Sequence, residues 1–185
     1  ILPVYNSVSS LNNCLNSIFS QSLKSWKLII IDDGSTDGSE KIIDNLVDSR
    51  VSVLRNETNK GLPYSLNRSI PLCDTPYIAR VDSDDIQHKD RLKKQIQFLD
   101  SNPSIDLLGT LAFIKSNKGY SELKVPINHK DICDSLIRRN CILHPTVMFR
   151  KSFFERFGLY DESFLRAQDY ELWIRALKKG AVFSS

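Results

Sequence analysis

The chain has 185 residues, which suits one domain and is short for two. Apolar residues make up 41%, aromatic ones 9% and charged ones 25%, which excludes a disordered or collagen-like chain. Twenty-five Lys and Arg against 22 Asp and Glu leave a formal charge of +3, too small and too dispersed for a dedicated nucleic-acid surface.

The strongest apolar run, Leu28 to Ile31, ends in two aspartates and is far too short for a membrane span. Cys14, Cys73, Cys133 and Cys141 lack C-x-x-C spacing and have no histidine at zinc-finger distance, so they read as reduced, separately buried thiols of a cytosolic chain. No signal-peptide pattern opens the sequence. Ile1-Leu2-Pro3-Val4 reads as the inside of a strand and Ala181 to Ser185 as a strand beginning. The sequence is therefore taken as the core of something longer.

In chain order, a first strand ends at Pro3-Val4-Tyr5-Asn6, and Leu11, Leu15, Ile18 and Phe19 mark the buried stripe of a helix over Ser10 to Gln21, capped by Ser9 or Ser10. Trp26 to Ile31 is a strand buried on both faces, broken by Asp32-Asp33-Gly34-Ser35-Thr36-Asp37-Gly38, with Asp37 capping the next helix. That helix turns Ile42, Ile43, Leu46 and Val47 inward. Val51 to Leu54 is a third strand, Gly61 to Ile70 a helix, and Tyr77 to Val81 a fourth strand that runs into Asp82-Ser83-Asp84-Asp85. A helix over Lys89 to Asp100 follows, then a long strand from Ile105 to Ile114. Beyond it come a hairpin turn at Lys115 to Tyr120 into Ser121 to Val125, a helix near His129 to Arg139, a strand His144 to Phe149 and a helix from Gln168 to Lys178. Alternating strands and helices argue for an α/β fold with a parallel sheet, and the second half is mixed.

In open parallel sheets ligands bind outside the carboxyl ends of the strands. Asn6, the pair Asp32 and Asp33, and the triad Asp82, Asp84 and Asp85 each end a strand, so five carboxylates are expected to face one cleft. Their mutual repulsion calls for a divalent cation, and hard oxygen donors select Mg²⁺ or Mn²⁺ over zinc. A G-x-G-x-x-G loop and a Walker loop are both missing, so nucleotide phosphates would have to be held through metal.

Pro3-Val4-Tyr5-Asn6, Ile29 to Asp37, Asn59-Lys60-Gly61, and Arg80-Val81-Asp82-Ser83-Asp84-Asp85 resemble, in order and spacing, the family 2 glycosyltransferases of the GT-A fold. The likeness continues through Arg91 to Gln95, His144 to Arg150, Gly158 to Phe164 and Gln168 to Trp173. It implies a Rossmann-like, mostly parallel central sheet flanked by helices, with a smaller mixed second half: one domain over 1–185, a nucleotide-binding half over 1–100 and an acceptor- and base-bearing half over 101–185.

The resemblance implies inverting transfer of a sugar from a nucleotide-diphosphate donor, UDP-linked by preference, to an acceptor hydroxyl in bacterial surface polysaccharide synthesis. Tyr5 and Asp33 would meet the nucleobase and Asp82 the ribose. Pro3, Lys60, Arg80, Ser83 and His144 would complete the substrate site, Asp84 and Asp85 would hold Mn²⁺ or Mg²⁺, and Asp169 would be the catalytic base. Where the family commonly has Glu-Asp, this chain has Gln168-Asp169. The acceptor would be a saccharide or a lipid-linked glycan, with no nucleic acid involved. The protein would be cytoplasmic, at most peripheral on the inner membrane face, through chain lying outside this sequence. The alternatives are a non-catalytic nucleotide-sugar-binding module of the same fold and a metal-dependent nucleotidyltransferase. A phosphorylatable receiver domain fits worse, since its acidic pair follows the first strand, where this chain has Tyr5-Asn6.

Overall fold

The aliphatic run after Trp26 supplies the middle of the sheet. The computed structural model describes residues 1–185. In it, strand β1 (Leu2–Val4) and strand β3 (Val51–Arg55) flank β2 (Leu28–Asp32) in parallel, and β2 is buried along its whole length, as its lack of alternation requires. Ile1 carries the sheet onward. Its carbonyl accepts from the Val81 N–H at 3.1 Å and its nitrogen donates to the Ala79 carbonyl at 2.7 Å, the bonding of a parallel pair, which seats β4 (Tyr77–Ala79) beside β1. On the far side of β4 come β8 (Met148–Arg150), antiparallel to it, β5 (Leu107–Leu108), antiparallel to β8, and β9 (Phe183–Ser184), parallel to β5. The early strands are parallel and the later ones mixed, as the element order implied.

Amphipathic helices cover this sheet. Helix α1 (Leu11–Phe19) buries Leu11, Cys14, Leu15 and Ile18 against Leu2, Val4 and Ile30. Helices α2 (Ser39–Asp44), α3 (Leu62–Ser69) and α4 (Arg91–Ser101) follow in βα order. Helix α7 (Gln168–Lys178) sets Leu172, Trp173 and Ala176 into the larger core cluster with Phe149, Phe153, Phe157 and Phe183. Each such side chain is worth about 1.5–3 kcal/mol on burial, so α7 is anchored along its length. Helix α5 (His129–Leu136) packs beside it, and the Tyr170 hydroxyl donates to the Leu136 carbonyl. None of these helices is long and apolar enough to cross a membrane.

Several expectations are corrected. Val47 is 99% exposed rather than inward, because α2 ends at Asp44. The run Ile105 to Ile114 is not one strand. β5 ends before Gly109, whose missing Cβ would meet the Ser185 hydroxyl at 2.8 Å, and a separate hairpin, β6 (Ala112–Ser116) and β7 (Gly119–Leu123), follows. The segment His144–Thr146 is a 3₁₀ turn that precedes β8, since Pro145 cannot donate within a ladder. Helix α6 (Ser152–Phe157), rich in phenylalanine, had no counterpart in the sequence reading. Ser10 occupies the N-cap of α1, but its hydroxyl donates back to the Ser7 carbonyl instead of capping. The four cysteines are free thiols, but only Cys14 and Cys141 are buried; Cys73 and Cys133 are half-buried, which corrects the expectation for them.

Candidate active site

At the carboxyl end of β4 the chain turns sharply, the Asp85 N–H donating to the Asp82 carbonyl at 3.2 Å. The turn gathers carboxylate oxygens of Asp82, Asp84 and Asp85 within 4.8 Å of one another. Burial raises the Asp82 and Asp85 carboxyls above the usual range, and the charge of Asp84 adds to both shifts, while Arg80 opposes them. Such a set of hard oxygen donors fits a divalent cation.

Two buried guanidinium groups underlie the turn. Arg80, 3% exposed, grips Asp82 with both terminal nitrogens, one at 2.9 Å from Oδ2 and the other on Oδ1. Arg91, the first residue of α4, donates to the Arg80 carbonyl at 2.9 Å, the Val147 carbonyl at 3.2 Å, and the side chains of Gln87 and Gln95. No carboxylate bonds it. Burial and Arg80 lower its pKa to about 10, against which Asp85 acts. The like charge of the turn is thus offset partly by protein cations, and a metal is not the sole counter-charge available.

Helix α1 fastens the same turn from its other side. The Cys14 thiol, its pKa pushed up to about 12 by burial and by the nearby aspartates, donates to the Asp82 carbonyl at 3.2 Å. Ser17 Oγ accepts from the Gln87 N–H at 3.0 Å, and Gln21 bonds the His88 carbonyl at 2.8 Å and the Leu92 N–H at 3.1 Å. Ser83 Oγ lies 2.6 Å from Ser7 Oγ, tying the turn to the loop after β1.

Asp32 and Asp33 do not join the acid cluster, which corrects the expectation of five converging carboxylates. Asp32 is turned into its own loop, accepting from the Ser35 N–H at 2.9 Å. Asp33, 4% exposed, accepts from Asn56 Nδ2 at 2.6 Å and from the Lys60 and Gly61 N–H groups at 2.9 Å each. Its carboxylate pins the Asn59-Lys60-Gly61 segment rather than projecting into open space. Gly34 permits that approach: at φ +75°, a Cβ there would sit 2.7 Å from the Thr58 carbonyl carbon. Around the same loops, Asp37 accepts from the Val8 N–H at 2.9 Å and from the Ser39 N–H at 3.0 Å, but the N-cap of α2 is Gly38, one residue on from where it was expected. Asn6, at φ 48°, bonds Ser35 and Thr36. Pro3 is buried in β1, Tyr5 just beyond it is 48% exposed, and the Lys60 side chain is exposed.

Asp169 lies in the first turn of α7, two residues after the N-cap Ala167, whose left-handed φ of 57° is uncommon for a residue with a Cβ. Its Oδ2 accepts from Asn140 Nδ2 at 2.7 Å, and its charge reaches Asp82, whose carboxyl it raises further. Asp169 is thus near enough for its charge to act on Asp82. His144 does not stand in open space. It is 7% exposed, its Nε2 lies 2.7 Å from the Tyr160 hydroxyl, and its ring packs edge-on against Trp173. Burial, seconded by Arg80, drives its pKa well below that of a free imidazole.

Sequence reasoning missed Asn56, Asn140 and the Cys14–Ser17–Gln21 fastening. Asn56 was within reach, because it ends β3 as the aspartates end β2 and β4. Asn140 gave no signal, as it lies in the segment after α5 and meets Asp169 only through the packing of α5 on α7. An apolar cavity of about 540 Å³ between β2 and β4, lined by Trp26, Leu28, Ile78 and Ile96 among others, contains none of Asp82, Asp84, Asp85 or Asp169.

The family model described as glycosyl transferase family 2 matches residues 1–159. The O-antigen biosynthesis glycosyltransferase WbnJ of Escherichia coli is 32% identical over 97% of the chain and 71% of its own length. Several other curated relatives are longer, and the chain spans 27% to 66% of their length. Among solved structures, S. aureus TarS 1-349 in complex with UDP superposes with a TM-score of 0.78 at 24% identity, over 100% of this chain and 56% of that one. The mannosyltransferase PcManGT from Pyrobaculum calidifontis, in complex with GDP-Man and Mn²⁺, superposes with a TM-score of 0.75 at 16% identity, over 100% and 52%. Both likenesses are of fold: the chain has the GT-A architecture.

Proposed function

The chain belongs to glycosyl transferase family 2, and we propose that its acid cleft transfers a sugar from a nucleotide-diphosphate donor to an acceptor hydroxyl with inversion at the anomeric carbon. The observation that carries this reading is the Asp82–Asp84–Asp85 cluster after β4, with Asp169 near enough for its charge to act on Asp82. The acceptor oxygen forms the new bond to the anomeric carbon as the bond to the diphosphate breaks. Asp169, oriented by Asn140, takes the hydroxyl proton from the face opposite the leaving group. Asp84 and Asp85 would hold the divalent ion, Mn²⁺ or Mg²⁺, and Arg80 aims Asp82 by gripping both of its oxygens. A cation bound there supplies Lewis-acid stabilisation of the charge developing on the leaving diphosphate.

Tyr5, at the open end of β1, offers a ring face to a nucleobase. Asp33 acts on the same region by fixing the Lys60–Gly61 backbone. A uridine diphosphate donor follows the example of TarS, and an acceptor in surface polysaccharide synthesis follows that of WbnJ. Residues 1–100 would then bind the donor and residues 101–185 carry the base, as one domain.

Calorimetry with Mn²⁺ and a panel of nucleoside diphosphates tests the donor site: the expected result is one nucleotide bound well above the rest and above inorganic phosphate. Asp84→Ala is expected to weaken that metal-dependent binding. Asp169→Asn should leave it nearly intact while abolishing transfer. A nucleotide that binds equally well to Asp84→Ala, or full turnover by Asp169→Asn, overturns the assignment. Tight nucleotide binding without transfer by the native chain, with every acceptor tried, would favour the non-catalytic module.

A further inference from the structure

The β6–β7 hairpin is joined to no other strand, and no hydrogen bond leaves residues 112–123 for the rest of the chain. None of its side chains belongs to a core cluster. Two strands by themselves are at best marginally stable in water. Yet this ribbon and its approach hold Leu111, Phe113, Ile114 and Tyr120 exposed, at 42%, 66%, 49% and 72%. Cross-strand register puts Phe113 opposite Glu122 and Lys115 opposite Tyr120 on one face, and Ile114 opposite Ser121 on the other. Residues 111–124 carry three lysines, Lys115, Lys118 and Lys124, and one acid, Glu122.

We propose that this hairpin is the element by which the chain rests on an anionic lipid bilayer. Apolar groups on both faces of a thin ribbon decide between occupants. A rigid protein surface covers one face and leaves the other wet, whereas a fluid interface closes around both. Aromatic side chains flanked by lysines match the boundary between headgroups and acyl chains, where the ring is half buried and the ammonium meets lipid phosphate. The proposal rests on the hairpin alone and stands or falls separately from the reading of the acid cleft.

Co-sedimentation with phosphatidylcholine vesicles, with and without phosphatidylglycerol, tests it. The native chain should pellet with the anionic vesicles, lose binding as salt is raised, and bind neutral ones far less. Lysines near an anionic surface are worth about fivefold each, so Lys115→Ala with Lys118→Ala should weaken binding roughly 25-fold. Phe113→Ser with Tyr120→Ser should lose it even at low salt. Because the substituted side chains are exposed and outside the core clusters, thermal midpoints should be unchanged, which separates lost binding from lost fold. Native protein left in the supernatant with anionic vesicles, equal pelleting of the variants, or hairpin-dependent self-association without lipid binding would each overturn the proposal.

Discussion

Asn140 Nδ2 donates to Asp169 Oδ2 at 2.7 Å, so the segment after α5 fixes the carboxylate that opens α7. A hydrogen bond to a charged group is worth about 1.5–3 kcal/mol, and the exposure of Asn140 places this one at the low end. Asn140→Ala is expected to lower kcat about tenfold with little change in KM for the donor, since it loosens the base and not the nucleotide site. Asn140→Asp, which sets a like charge against Asp169, should lower kcat further. Steady-state kinetics of transfer, or of donor hydrolysis where no acceptor is in hand, read both, and an Asn140→Ala enzyme with native kcat would remove Asn140 from the mechanism.

The acid turn holds more like charge than its two arginines offset. Neutralising one carboxylate should therefore stabilise the metal-free protein while costing it metal. Asp84→Asn is expected to raise the thermal midpoint slightly without metal, by the equivalent of about 0.5 kcal/mol, and to lose most of the rise that Mn²⁺ gives the native chain. Thermal melts with and without Mn²⁺ or EDTA supply the four values, and an unchanged Mn²⁺ increment would show that Asp84 is no ligand.

Arg80 has the opposite role. Its guanidinium is buried, with Nε unpartnered, and both remaining nitrogens sit on Asp82. Arg80→Met leaves Asp82 facing Asp84 and Asp85 without its cation. Removing one member of a buried pair costs about 3–5 kcal/mol, and the partial exposure of Asp82 reduces this to about 2–3 kcal/mol. Urea unfolding at neutral pH measures it, and a loss below about 1 kcal/mol would mean that the turn does not depend on this pair.

His144 makes stability depend on pH with a definite sign. Buried and neutral, it takes a proton in the unfolded chain near 6.5 but only well below that when folded. The unfolded state thus binds more protons beneath that value, so stability is level above about pH 6.5 and falls below it, by up to about 1.4 kcal/mol per pH unit for one proton. His144→Asn should be less stable at pH 8, having lost the Tyr160 contact, yet flatter between pH 6.5 and 5. Parallel slopes for the two proteins across that window would mean that His144 already takes up its proton in the folded state.

Gly34 tests how Asp33 comes to hold the Lys60–Gly61 segment. A methyl group there meets backbone at 2.7–2.9 Å from a left-handed φ, so Gly34→Ala should cost about 2 kcal/mol or more and weaken nucleotide binding together with stability. A melt and a nucleotide titration on one preparation read both effects, and an unaltered affinity would detach this loop from the donor site.

The parallel opening of the sheet, the helix stripes from Leu11 to Ile18 and from Leu172 to Ala176, and the acid turn after β4 were legible because each is a local pattern: a periodicity, or a polar string after an apolar run. The errors fell where local pattern and packing part. Ile105 to Ile114 is continuously apolar but spans two structures, since Gly109 must let Ser185 pass. Asp33 and Asp84 are chemically alike, and nothing along the chain says that one pins a loop while the other stays exposed in the cluster.

Residue order by itself determined the family, the α/β class and which carboxylates end which strands, because these follow from short-range periodicity and motif spacing. Tertiary structure alone decided which of them meet. Cys14 on the Asp82 carbonyl, Asn140 on Asp169 and His144 against Trp173 join residues from different elements, far apart in sequence. The physical reason is that charge, burial and hydrogen-bond satisfaction act through space: a carboxylate becomes a ligand, a base or a clasp only once folding has chosen its neighbours.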